Sequence, residues 1–163
     1  MTIEDHVKAI AATMSTPPTV FWGAIYEHNI ALDDAQLSTN FPVILMYPPI
    51  VKVDIREYGM VLNEYVVVLS FIDKIAHAEK QNTVSVATIK AMRALAFEFI
   101  SKAKDYVDGL GAQKETVRDA LLHSLDPTKK LDTDMFFDQY DLNVAGYGLT
   151  ISIPILEKIK ECA

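Results

Sequence analysis

The sequence predicts an α+β domain: a mainly antiparallel sheet covered by one long helix, with a short N-terminal helix. Three observations lead there. Between Val84 and Val107, the residues Ile89, Met92, Ala96, Phe99, Ile100, Ala103, Tyr106 and Val107 recur at steps of three and four. That is the period of one helix face, with an apolar arc wide enough to meet a core. Strand-like runs flank this helix on both sides, and they come in succession before it instead of alternating with helices. That order argues for an α+β sheet and against a parallel α/β one. The chain has 163 residues, half of them apolar or aromatic. It suits a single domain over residues 1–163, with no repeat or linker to divide it.

Taken in order, Thr2 to Met14 reads as an amphipathic helix. Thr2 is the N-cap and Asp5 its acidic partner three residues on. Ile3, Val7, Ile10, Ala11 and Met14 form the apolar side, and Ser15-Thr16-Pro17-Pro18 ends the helix, because Pro cannot continue it. Thr19 to His28 reads as a strand with large side chains on both faces. Such a strand either sits inside a sheet or keeps one face for a partner. Phe41 to Tyr47 is a second strand, closed by Pro48-Pro49. Ile50 to Ile55 alternates apolar residues with Lys52 and Asp54, as a half-exposed strand or an extended arm. Glu57-Tyr58-Gly59 is a turn.

Glu64 to Asp73 carries the strongest strand signal: Tyr65, Val67, Leu69 and Phe71 on one side, Val66, Val68, Ser70 and Ile72 on the other. Thr83 or Ser85 can cap the main helix, and Gly109 and Gly111 can stop it. Glu98 precedes Lys102 by four residues, the favourable order for a helical ion pair. Asp108 to Leu125 holds a weaker helical piece, and Thr128 to Asp134 a charged loop. Met135 to Tyr140 and Tyr147 to Ile155 are two more strands, with Asp141-Leu142-Asn143 as the turn between them. Pro154 has no N–H to donate and belongs at a strand end or sheet edge. Glu157 to Ala163 is a short charged tail.

Composition narrows the function. The formal net charge is -7, and gripping a phosphate backbone needs clustered Lys and Arg instead. The one cysteine, Cys162, cannot form an intrachain disulfide, so the fold is not built for an oxidising compartment. Glu4 and Asp5 stand where a signal peptide would carry lysines, and no apolar run approaches the roughly 18 residues of a membrane span. Neither a signal peptide nor a membrane span is expected.

Catalytic motifs are missing. His6, His28, His77 and His123 lie in four different elements, and no HExxH, CxxC, GxSxG or phosphate-binding glycine loop occurs. Gly146-Tyr147-Gly148 enters a strand with no helix following, which reads as a bulge or a close backbone approach. Several carboxylates such as Asp132, Asp134, Asp138 and Asp141 could bind a divalent ion; the reading preferred for this cluster is solvated carboxylates on a charged loop flanking a strand. The same choice applies to Asp33-Asp34. Asp73-Lys74 reads as an exposed strand end. No enzyme activity, cofactor or metal is expected.

Other residues suggest contact surfaces. Phe97 sits roughly 120° from the centre of the main helix stripe at 100° per residue. Either it meets a partner or a second helix buries it. Pro48, Pro49 and Ile50 form an apolar loop, and Phe136-Phe137 places aromatic rings on both faces of one strand. Large apolar groups outside the core point to contacts. The candidate interface residues are therefore Pro48, Pro49, Ile50, Phe97 and Phe136.

Four phrases together carry a resemblance. They are Phe41-Pro42-Val43-Ile44-Leu45-Met46-Tyr47-Pro48-Pro49, Tyr65-Val66-Val67-Val68-Leu69-Ser70-Phe71-Ile72-Asp73-Lys74, Ala94-Leu95-Ala96-Phe97-Glu98-Phe99-Ile100 within the long helix, and Asp141-Leu142-Asn143-Val144-Ala145-Gly146-Tyr147-Gly148-Leu149-Thr150-Ile151. In this succession, over about residues 1 to 156, the chain resembles the small tail-terminator or head–tail connector (tail completion) proteins of tailed bacteriophages, in versions from phages or prophages of Bacteroides-type bacteria. The segment from Asp108 to Asp134 departs from that pattern. The resemblance implies a structural virion protein at the tail or the head–tail junction, assembled in the bacterial host cytoplasm. Copies would form a homo-oligomeric ring, dock other virion tail or connector proteins, and leave a channel for DNA. An acidic wall would let DNA pass without specific binding. Two other readings stay open: a small α+β ligand-binding protein or non-catalytic subunit, with an apolar pocket under the helix, and a metal-dependent enzyme using the Asp132 to Asp141 cluster.

Overall fold

The computed structural model describes residues 2–24, 41–55, 60–75, 81–108, 135–137 and 144–158. Their elements run α1 (Ile3–Ala11), β1 (Thr19–Trp22), β2 (Val43–Met46), β3 (Ile50–Ile55), β4 (Met60–Lys74), α2 (Gln81–Asp108), β5 (Met135–Phe137) and β6 (Val144–Lys158). The architecture is α+β. One sheet has the strand order β1-β2-β4-β6-β5, with β3 also paired to β4. Only β1 and β2 run parallel; every other pair is antiparallel.

The central pair is longer than the sequence predicts. β4 and β6 are each 15 residues long and stay in register from Met60↔Lys158 to Lys74↔Val144. Gly146 and Gly148 fit this ladder opposite Ile72 and Ser70, so the expected bulge at Gly146-Tyr147-Gly148 does not form. Gly146 lies between Ile72 of β4 and Phe136 of β5. Glu157 and Lys158 belong to β6 instead of a tail, because β4 offers them partners in Val61 and Met60. Among the described strands β1 ends the order, the outer position and not the inner one that its two apolar faces suggested.

Alternation divides the sheet into two faces. Val67, Leu69 and Phe71 of β4 join Tyr147, Leu149, Ile151, Ile153 and Ile155 of β6 in the main core, together with Ile44 and Met46. α2 covers this face with Met92, Ala96, Phe99, Ile100 and Ala103, as its stripe predicts. The rings of Phe99 and Phe71 meet edge to face at 5.7 Å, a favoured aromatic geometry. The opposite face holds a smaller cluster of Val43, Leu45, Ile72 and Val144, with Phe21 and Phe41 against it.

α1 adds its apolar side to the main core through Ile3, Val7, Ile10 and Ala11. Thr2 caps it as predicted: the Asp5 N–H donates to Thr2 Oγ1 at 3.2 Å, and the Thr2 N–H donates to Asp5 Oδ2 at 2.7 Å. The Thr2 backbone N–H, and after it the Thr2 hydroxyl, hold the Asp5 carboxyl below its ordinary pKa. Two polar links join α1 to α2. His6 Nδ1 lies 2.6 Å from the Tyr106 hydroxyl. Glu98, expected to serve Lys102, accepts bonds from the Ser15 N–H at 2.6 Å and the Ser15 hydroxyl at 2.9 Å.

α2 begins at Gln81, so Thr83 and Ser85 lie within the helix and are not its caps. Gln81 and Asn82 bring no Pro or Gly to stop it, and propagation adds one hydrogen bond per residue once a helix exists. The turn at Glu57-Tyr58-Gly59, the segment Ile25 to Asn40 with Asp33-Asp34, the helical piece after Asp108 and the loop before Asp134 lie outside the described residues. So do Asp141-Leu142-Asn143 and Cys162.

Two outcomes follow from this packing. Phe99→Ala removes a fully buried ring and should cost about 3–5 kcal/mol of stability in a denaturant titration. Burial raises the Tyr106 pKa above its ordinary value of 10.0. A raised acid stabilises the fold while it is protonated, so the contribution is complete below the unfolded value and fades as pH climbs through the folded one. The melting temperature should therefore fall above about pH 10, and it should fall less steeply for Y106F.

Candidate interaction surface

The edge of β4 changes partner midway. Its C-terminal half pairs with β2, from Val43↔Ile72 to Met46↔Leu69. Its N-terminal half pairs with β3, from Ile50↔Val66 to Ile55↔Val61. Between them Tyr47, Pro48 and Pro49 stand opposite only Val68 and Val67. One extra residue in a strand is a β-bulge, and it shifts side-chain parity. The Tyr47 N–H still donates to the Val68 carbonyl at 3.1 Å. The two prolines after it have no N–H to offer the ladder, so the extra residue falls where donors are already missing.

The parity shift decides what β3 shows on each side. In β2 the even residues Ile44 and Met46 face the helices. In β3 the odd residues Val51, Val53 and Ile55 do, because they stand opposite Tyr65, Asn63 and Val61 of β4. Lys52 and Asp54 are turned to the other face with Glu64 and Leu62. All six residues of β3 are exposed. Val53 is 62% exposed and Ile55 76%, so the helices do not cover them; Ile50, on the other face, is 67% exposed. The sequence allowed a half-exposed strand or an extended arm; β3 is a strand paired along its length with β4, and exposed at every residue instead of half-exposed. Among the described residues it pairs with β4 alone, and no described strand lies along its other edge.

The five residues singled out from the sequence are not one patch. Pro48 is exposed and Pro49 half-buried, and with Ile50 they form the corner between β2 and β3. Phe97 lies on the outer side of α2, 45% exposed, with the Arg93 guanidinium 5.3 Å from its ring centre. α1, the other described helix, packs on α2 without burying Phe97. Phe136 lies in β5 opposite Gly146; its side chain is outside the described part of the structure.

Sequence reasoning missed the outward residues Val51, Val53 and Ile55, and also Trp22 and Val86, which are exposed too. The signal for β3 was present in its apolar run beside two prolines, but its weight depends on what lies next to it.

A polar row crosses the face opposite the helices. Ser152 of β6 donates its hydroxyl to Glu64 Oε1 at 2.6 Å. Lys52 Nζ approaches the other carboxylate oxygen, Glu64 Oε2, at 4.0 Å. The Lys52 pair is exposed and contributes little to stability. With the Ser152–Glu64 bond it sets one line of polar groups across β6, β4 and β3.

Chemistry-bearing groups are sparse here. Asp73 and Lys74 sit at the end of β4, where the Lys74 N–H donates to Asp73 Oδ1 at 2.7 Å and Lys74 Nζ lies 5.1 Å from the Phe41 ring centre. Asp132, Asp134, Asp138 and Asp141 lie outside the described residues, as do His28, His77 and His123. Among the described residues no three His, Cys, Asp or Glu side chains converge as a metal site, and no helix is long and apolar enough to cross a membrane. The sequence matches no protein-family model, and no curated protein matches it.

Proposed function

We propose that this chain is a structural virion protein, a subunit of a homo-oligomeric ring of the tail-terminator or head–tail connector type. One observation carries the reading: each copy exposes large apolar groups on two unlike surfaces. One is the corner Pro48, Pro49 and Ile50 at the sheet edge; the other is the outer side of α2 with Val86 and Phe97. Unlike surfaces are what a head-to-tail contact joins, and a head-to-tail contact whose rotation closes makes a ring. Exposed apolar groups of this size are otherwise a cost to a lone domain. The resemblance in the strand and helix phrases supports the same reading.

The acidic balance fits a channel. A net charge of -7 on a ring repeats around its wall, and phosphates passing through are repelled instead of held. DNA would then pass without specific binding, and the ring faces would meet other tail or connector proteins.

Light scattering during size exclusion, with electron microscopy of the heaviest fraction, tests the ring. Phe97→Ala should leave the melting temperature nearly unchanged, since surface substitutions are usually within about 0.5 kcal/mol. It should weaken association by about tenfold or more if Phe97 is an aromatic anchor. A Phe97→Ala chain that assembles like the parent, or one that unfolds, counts against the head-to-tail contact.

A further inference from the structure

We infer that the edge of β3 turned away from β4, along which no described strand lies, pairs antiparallel with β3 of a second copy, about a two-fold axis through Val53. This goes beyond the ring reading. A two-fold contact closes at two copies and cannot be the head-to-tail contact of a ring, so either can hold without the other.

The register follows from geometry and charge. A two-fold axis perpendicular to a sheet brings two copies of one strand together antiparallel. Residues directly opposite then point to the same face, so they must share parity. Two registers align five of the six residues of β3. Centred on Lys52, the strand would oppose Lys52 to Lys52 and Ile50 to Asp54. Centred on Val53, it opposes Val51 to Ile55, Lys52 to Asp54, and Val53 to itself. The first places like charges face to face, which is destabilising. The second forms two Lys52–Asp54 pairs on one side. On the other it forms an apolar strip of Val51, Val53 and Ile55 from both copies. Side chains on β3 are self-complementary in that register alone.

The rest of the sheet agrees with it. The polar row Ser152, Glu64 and Lys52 ends at the edge with a cation. Asp54 of the second copy continues the row with a carboxylate. The exposed residues Val53 and Ile55 lose water on the helix-side face, where they extend the apolar surface beyond the helices. Pairing also occupies the outward N–H and C=O groups that an edge strand otherwise offers to any passing chain. Pro48, Pro49 and Ile50 fall outside the five paired positions.

Register-specific cross-linking tests the contact. In a C162S background, V53C places two thiols directly opposite. Their Cα atoms would be about 4.5–5.5 Å apart, within disulfide reach. I55C would leave its thiols about 13 Å apart along the strands, out of reach. Mild oxidation should give a covalent dimer from V53C and none from I55C. Charge exchange is the second arm, read by light scattering with a melting curve on each variant. D54K should weaken association about tenfold or more by placing like charges opposite at two positions. K52E should do the same, although it also sets a carboxylate beside Glu64. The K52E/D54K double variant should recover association to near the parent. Equal cross-linking through V53C and I55C, no cross-linking through V53C, or association unchanged by D54K would overturn the contact. A ring lost in Phe97→Ala while V53C still cross-links separates this contact from the head-to-tail one.

Discussion

The ladder between β4 and β6 is the constraint on which the rest depends. It keeps 15 residues of each strand in register without a slip, and at about 3.3 Å per residue it spans about 50 Å. Because side chains alternate, one register assigns every residue of both strands to a face. Val67, Leu69 and Phe71 come to lie beside Ile151, Leu149 and Tyr147. A one-residue slip would turn Ser70 and Val68 toward the helices instead. α2 can bury Phe99 against Phe71 only because this register holds Phe71 on the helix side.

The ladder is also longer than the helices' cover, and this separates stability from association within one sheet. The C-terminal half of β4 is flanked by β2, whose residues are all buried. The N-terminal half is flanked by β3, whose residues are all exposed. Core substitutions and edge substitutions therefore act on different properties although both lie along β4. The Pro48-Pro49 bulge marks the border. It sends Lys52 and Asp54 to the face away from the helices and leaves a row of apolar side chains on the other.

Polar groups in the described core are few and placed at joints. His6 and Tyr106 join the start of α1 to the end of α2, and Ser15 with Glu98 joins the segment after α1 to the middle of α2. Such bonds add modest stability each, yet a buried polar group left without its partner is costly. They tie α1 and the segment after it to α2 at two separate points.

The sequence by itself determined the local elements. The stripe from Ile89 to Ala103 marks the buried face of α2, the Thr2 and Asp5 pair marks the start of α1, and the alternation from Tyr65 to Phe71 marks the core strand. Each of these signals lies within a few neighbouring residues, where the periods of 3.6 and 2 operate. Only the tertiary structure decided the fate of β3, the partner of Glu98, the His6–Tyr106 bond and the full length of β4 and β6. Ile50 to Ile55 reads the same whether a helix covers it or not, and Glu98 has a suitable lysine four residues away that the fold does not need. Those outcomes depend on which segment lies alongside, and pairing between distant parts of the chain is not written in the spacing of near neighbours.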